Sequence, residues 1–311
     1  MPRHWVNLQR HILRAVVPLL RRLPAPLANA LLTWIGWAEF QLVPGVKEHF
    51  LQAAERGRVD LQGDWDDLDV ARRLVCARVH WRTRDRLLDG LPDGEALGRF
   101  VVEGREHLDA AYGQKRGVIL LANHFGSHLH PSHWLFRQDY PLRLFSERPR
   151  NVSRFMTDRF RTDGALGQEK LFISRRSTAA EAAGSILRAM RILDAGMILK
   201  IAGDVRWQGG HTAPGHFLGS TYLFSTTWVV LAAKTGAPVV PVFCRPDDRG
   251  RIVLEFLPSF QVPVDTARNG QAARFVQRGL DAVTEQVVRH PDQSNDYFFW
   301  PRPEIGLSRV A

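Results

Sequence analysis

The sequence predicts an α/β fold: a mostly parallel central sheet with helices on both faces, preceded by an amphipathic helical segment. Three observations point there. From residue 97 onward, short apolar runs alternate with helix-length amphipathic stretches, the order expected of βαβ units. Gly117-Val-Ile-Leu-Leu-Ala122 is a continuous apolar run, as in a strand covered on both faces. That run ends in the polar, histidine-rich turn Asn123-His-Phe-Gly-Ser-His-Leu-His-Pro131. Open α/β sheets keep their ligand crevices at the carboxyl ends of such strands.

Composition narrows the class. The chain has 311 residues, 45% apolar and 24% charged, which is globular and long enough for one large domain or two small ones. Its 42 Lys and Arg against 32 Asp and Glu give a net charge of +10. That balance suits an anionic membrane surface, an acidic carrier protein or a nucleic acid. A coding bias toward arginine produces the same excess. The basic segments carry no helix-turn-helix or aromatic RNA-binding pattern, which sets nucleic acid aside. Two cysteines, Cys76 and Cys244, do not make a disulfide framework and fit a reducing compartment. The chain lacks a Gly-x-Ser-x-Gly elbow, a Walker A motif and a Cys-x-x-Cys pair.

In chain order, residues 1–45 read as a membrane-associating helical segment and 46–311 as a single α/β domain. Segment 11–22 is too short and too basic to span a bilayer, and segment 26–43 carries Asn29 and Glu39. Trp5, Trp34 and Trp37 among interleaved arginines suit helices lying in a membrane interface. The alternative is that these helices pack on the domain as core. Residues 45–94 read as helical, with Asp64, Asp66, Asp67 and Asp69 complementing a helix dipole. Beyond them the pattern predicts a helix at 97–113, the strand at 117–122, a helix at 131–138, a strand at 141–146, a helix at 151–161 and a short strand at 171–174. Thr178-Ala-Ala-Glu181 fits a capping box and Gly196 a helix stop. The strand Met197–Ala202, a helix at 223–235, the strand Pro238–Phe243, a strand at 251–257 and a helix at 266–289 complete the order.

His124 is the leading candidate for chemistry. An imidazole just past a strand end can take a proton from a substrate near neutral pH. His128, His130 and His133 follow at spacings that a helix brings together in pairs. The group contains no acidic or thiol ligand, and His-x-x-x-His without a Glu does not specify a metal. His128 can instead accept a hydrogen bond from the His124 ring. Glu147, Arg148 and Asn151 lie beyond the strand at 141–146, and an Arg there can clamp a phosphate or carboxylate. Asp204 ends the strand Met197–Ala202, where it can orient His124, pair with Arg148 or form an Asx turn. Phe217-Leu-Gly219 reads as a tight turn that needs its glycine.

Several of these residues recur in one collinear order over roughly residues 95–300, a stronger signal than any single motif. They are Val102-Glu-Gly-Arg-Glu-His-Leu108, His124-Phe-Gly126, Arg148 with Asn151, Gly203-Asp204, Phe217-Leu-Gly219 and Thr235-Gly-Ala-Pro-Val-Val-Pro-Val-Phe243. In that order they resemble the lysophospholipid acyltransferase superfamily, and within it the late acyltransferases of lipid A biosynthesis. The resemblance implies transfer of a fatty acyl group from an acyl carrier protein or CoA thioester to a hydroxyl or amine of a lipid-like acceptor. It implies His124 as general base and Arg148 and Asn151 on the acceptor side. Backbone donors near Gly126 or Gly219 would hold the oxyanion, and Phe217 would belong to the loop that shapes the acyl pocket. No cofactor is implied, because a thioester is already activated. The location implied is the cytoplasmic face of the inner membrane.

The chain departs from the family at one chemical position. The family signature is His, four residues, then Asp or Glu; here Leu129 stands in the acid's place. Val205 likewise replaces a Gln after Asp204. Losing the acid that orients a catalytic imidazole costs about 10⁴ in rate in a Ser-His-Asp triad. A stand-in from outside the usual spacing is therefore expected to contact His124, and Asp204, Glu147 and His128 are the candidates. The alternative is a catalytically degenerate lipid-binding or scaffold protein of the same fold.

Overall fold

A computed structural model describes residues 15–149, 152–162, 164, 166–174, 178–208, 210–247, 249–267, 271–294 and 296–302. Trp5, Arg14, Arg150 and Asn151 of the sequence reading lie outside them.

The apolar runs become the strands β1 (Phe100–Glu103), β2 (Val118–Ala122), β3 (Leu142–Phe145), β4 (Ile198–Ala202), the pair β5 (Thr212–Phe217) and β6 (Ser220–Ser225), then β7 (Val239–Pro246) and β8 (Ile252–Phe256). Among the described residues one sheet runs β1-β8-β7-β2-β4-β3. Its pairings are parallel except β7 with β8. The mostly parallel sheet with helices on both sides is thus as the sequence predicts. Every residue of the central strand β2 is buried. Strand alternation divides its side chains between two cores. Ile119 and Leu121 join Leu199, Ile201 and Trp228 on one face, while Val118, Leu120 and Ala122 join Leu142, Leu144, Trp134 and Val242 on the other.

Some helices begin at caps written in the sequence. The described ones needed below are α1 (Ala25–Leu42), α2 (Val46–Leu61), α3 (Asp67–Thr83), α4 (Arg105–Gly113), α5 (His130–Arg137), α6 (Arg154–Phe160), α7 (Ala179–Asp194), α8 (Thr227–Thr235) and α9 (Ala272–Arg289). Helix α7 begins with the expected reciprocal capping box of Thr178 and Glu181. Asp67 and Asp69 occupy the first turn of α3, and Asp66 accepts the Asp69 N–H, so the acidic cluster does cap.

Four expectations are corrected. The stretch 97–113 is not one helix: Phe100–Glu103 pairs with β8, and α4 starts only after Gly104. Gly104 sits at φ +66°, where a Cβ would meet the Phe256 carbonyl oxygen at 2.1 Å. Residues 171–174 make only a single bridge, Glu147 to Ile173, after a 3₁₀ turn at Gln168–Leu171. The predicted helix at 223–235 begins at Thr227, because residues up to Ser225 pair with β5. That hairpin turns at Leu218 and Gly219, both at positive φ (49° and 68°), the signature of a two-residue turn that matches strand twist. The last long helix starts at Ala272 rather than near 266, after a 3₁₀ turn at Val264–Ala267.

The N-terminal helix has two apolar faces. Ala28, Leu32, Gly36, Glu39 and Phe40 are buried along one side of α1. Glu39 faces inward and pairs with Arg78 of α3, which accounts for an acidic residue in an apolar run. Gly36 sets the approach of α1 to α3, since a Cβ there would lie 2.5 Å from Cα of Cys76. The other side exposes Leu27, Leu31 and Trp34, the last at 62%. Packing on the domain and presenting an apolar outer face are therefore not alternatives here. No described helix is long and apolar enough to cross a membrane.

This packing gives the first prediction. Gly36→Leu should wedge α1 from α3 and lower stability by about 1–3 kcal/mol, as overpacking does. Leu31→Ala, on the exposed side, should leave the urea midpoint nearly unchanged.

Candidate active site

Strand register brings the key side chains together. Strands β2 and β4 are parallel neighbours with Ala122 paired to Ala202. His124 and Asp204 each lie the same short step beyond that pair, and the Gly203 N–H continues the ladder to the Ala122 carbonyl at 2.9 Å. His124 Nδ1 lies 3.0 Å from each carboxylate oxygen of Asp204. The His124 backbone N–H also donates to Asp204 Oδ2 at 2.8 Å. The imidazole therefore carries its proton on Nδ1 when neutral and presents Nε2 as the basic nitrogen. Its side chain is 48% exposed, whereas that of Asp204 is fully buried.

Tyr297 completes the arrangement from the C-terminal 3₁₀ turn Tyr297–Phe299. Its hydroxyl donates to Asp204 Oδ2 at 2.6 Å and accepts the His124 N–H at 3.0 Å. Burial and the Asp204 charge push the phenol well above its ordinary pKa, so it stays a donor. Burial opposes the charge on Asp204, yet the His124 ring, the Tyr297 hydroxyl and the His124 N–H hold its carboxyl below the usual carboxylate value. For His124 the Asp204 charge wins over burial and raises its pKa, with Asp296 adding to the rise and Lys200 opposing it.

The turn after β2 spends its backbone donors on its own support. Phe125 N–H bonds Asn123 Oδ1 at 3.1 Å, Gly126 N–H the Gln293 carbonyl at 2.9 Å and Ser127 N–H the Cys244 carbonyl at 2.9 Å. Gly126 is at φ +53° and a Cβ would strike the Cys244 oxygen at 2.0 Å, so only glycine fits. The Gly126 N–H, expected as an oxyanion donor, holds the turn to the C-terminal segment through the Gln293 carbonyl. Gly219 lies in the β5–β6 turn against Asp60 of α2 and serves the hairpin. Phe217 is buried edge-on against Tyr297, with ring centroids 5.1 Å apart, and so backs the site through that residue.

The other candidates disperse. His128 precedes α5, and its ring centroid is 5.5 Å from that of His124, a ring contact rather than a hydrogen bond. His130 turns to Phe100, and His133 turns to Asp85 and Ser153 in a buried cluster with Arg137. Glu147 is exposed and its backbone bridges Ile173. Arg148 is exposed too and pairs with Glu169 at 2.9 Å, not with Asp204. Leu129 is buried at the start of α5. The sequence reading missed Tyr297 and Lys200. Lys200 is buried on β4 and donates to the His128 carbonyl and, at 3.1 Å, to Ser132 Oγ. A lysine inside an apolar strand was a readable signal, and Tyr297 stood out only as part of the aromatic run ending at Trp300. Among the described residues no group of His, Cys, Asp and Glu is arranged to hold a metal ion.

A base held by a buried acid at the carboxyl end of a parallel sheet suits proton transfer in acyl transfer chemistry. The chain matches the family described as bacterial lipid A biosynthesis acyltransferase over residues 85–300. No curated protein matches it.

The coupled pair sets a pH window. The raised His124 value means its contribution to stability is complete below 6.5 and fades as pH rises through the folded value. The lowered Asp204 value means its contribution is present above 3.8 and is lost as pH falls through the folded value. Thermal melts of wild type and Asp204→Asn should therefore differ most between pH 3.8 and 6.5, with the gap narrowing at alkaline pH.

Proposed function

The chain belongs to the bacterial lipid A biosynthesis acyltransferase family, and we propose that it moves a fatty acyl group from a carrier-protein or CoA thioester to a hydroxyl or amine of a lipid-like acceptor, with His124 as general base. The observation that carries this reading is the Nδ1 contact of His124 with the buried Asp204 carboxylate. It supplies the acid that Leu129 does not.

The chemistry runs as follows. His124 Nε2 takes the proton of the acceptor hydroxyl or amine as its oxygen or nitrogen attacks the thioester carbonyl. The Asp204 charge stabilises the imidazolium so formed. When the tetrahedral intermediate collapses, the C–S bond breaks and His124 returns its proton to the leaving thiolate. The net charge of +10 favours an acidic carrier or an anionic CoA. Arg148 and Asn151 stand on the acceptor side in this reading. The exposed pairing of Arg148 with Glu169 is one that an anionic acceptor can displace at little cost.

A peripheral position on the cytoplasmic face of the inner membrane fits the outer face of α1. Leu27, Leu31 and Trp34 fall at helical spacing and stay exposed, and Leu42 at the end of α1 is exposed too. A contiguous apolar patch of this kind marks an interaction site. Neighbouring arginines would add attraction to anionic headgroups.

Two experiments test the proposal. His124→Ala should cut acyl transfer from dodecanoyl-CoA or dodecanoyl carrier protein by about 10²–10⁴, and Asp204→Asn should approach that loss. Leu129→Glu should give no gain, because it buries a carboxylate where the site already has its acid. Unchanged turnover in His124→Ala, or no transfer by any form including Leu129→Glu, would favour the binding-protein alternative. For the membrane, Leu27→Glu with Trp34→Glu should abolish sedimentation with phosphatidylglycerol-containing vesicles. Equal binding of variant and wild type counts against docking through α1.

A further inference from the structure

The C-terminal segment does more than finish the chain. After α9 the backbone crosses the carboxyl end of the sheet and touches the His124 turn repeatedly. The Gln293 carbonyl holds Gly126 N–H at 2.9 Å, and the Tyr297 hydroxyl holds both Asp204 and the His124 N–H. Tyr297 is 1% exposed. Its ring is wedged edge-on between Phe217 at 5.1 Å and Trp300 at 5.3 Å, so the hydroxyl has little freedom to turn elsewhere.

We infer that Tyr297 is a positioning residue of the active site, whose hydroxyl fixes the Asp204 carboxylate against Nδ1 of His124. In the family pattern the acid lies on the same loop as the histidine and local backbone geometry aims it. Here the acid comes from a different strand, and Asp204 is buried with nothing but its partners to orient it. Each carboxylate oxygen has acceptor capacity for more than one donor. Oδ2 receives Tyr297 O–H and His124 N–H, while both oxygens face Nδ1.

Among the described residues, the charged and titratable groups acting on His124 include Asp204 and Lys200 of the β4 segment, Asp296 and Tyr297 of the C-terminal segment, and His128 on its own turn. Removing only the Tyr297 hydroxyl leaves all the others. Asp204 would then be held less firmly against Nδ1, and its pull on the imidazolium proton would weaken.

The test uses the full chain with ¹⁵N-labelled histidine, which needs no substrate, alongside cleavage of dodecanoyl-CoA. In Tyr297→Phe the His124 titration should move to lower pH, in the same direction as in Asp204→Asn but by less. The variant should lose about tenfold in kcat with KM little changed, as expected for a lost hydrogen bond to a charged group. In the Asp204→Asn background the same substitution should add almost nothing, since Tyr297 acts through Asp204. A His124 titration unmoved in a folded Tyr297→Phe variant overturns the inference. So does a full, additive loss in the double variant. The titration arm stands apart from the acyltransferase reading on which the kinetic arm rests: a shifted His124 without thioester cleavage in any form keeps the positioning role and removes the proposed reaction.

Discussion

A buried carboxylate must be matched by donors, and in this protein the matching of Asp204 organises the whole carboxyl edge of the sheet. Its oxygens gather the His124 ring, the His124 N–H and the Tyr297 hydroxyl. Three segments far apart in sequence converge on one fully buried side chain. Leaving such a charge unpaired is among the costliest defects a fold can carry. The turn after β2, the end of β4 and the C-terminal 3₁₀ turn are thus held in place by one electrostatic requirement, and the strand register between β2 and β4 makes it satisfiable.

Position 129 shows packing rather than charge beside this arrangement. Leu129 is buried at the start of α5, while the carboxylate that reaches the His124 ring comes from Asp204, just past β4. The turn between His124 and α5 is fastened by other means. Lys200 reaches from β4 to the His128 carbonyl, Gly126 packs on the Cys244 carbonyl, and Asn123 bonds the Val242 carbonyl at 3.1 Å. The backbone N–H groups of Gly126 and Ser127 bond the Gln293 and Cys244 carbonyls at 2.9 Å each.

Helix α1 shows how one short element serves two surroundings. Its inner stripe, with Gly36 and the Glu39–Arg78 pair, is specified by close contact with α3. Its outer stripe of Leu27, Leu31 and Trp34 meets no other part of the described chain closely enough to be buried. A strongly apolar helix with charges turned inward reads ambiguously by hydropathy alone, because the moment of one face cancels that of the other.

Much of the architecture was legible in the residues themselves. The apolar run into β2, the capping box of α7 and the β-α alternation are local signals, governed by periodicity and by backbone groups that neighbours in sequence satisfy. They gave the sheet, its mostly parallel sense and the placing of His124 at a strand end. Strand β1 and the β5–β6 hairpin escaped, because Phe100–Glu103 is too short to show a period and its pairing with β8 lies far along the chain. Asp204 was readable as one of three candidate partners for His124, but no spacing could choose it. The choice needed β4 beside β2 in register, although β3 intervenes in sequence. Tyr297 was invisible as a site residue, since an aromatic near a chain end carries no local mark of which carboxylate it will meet. Sequence determined which elements form and which chemistry is present; only the tertiary structure decided which acid meets which base, because that depends on strand order and on where a buried charge finds its donors.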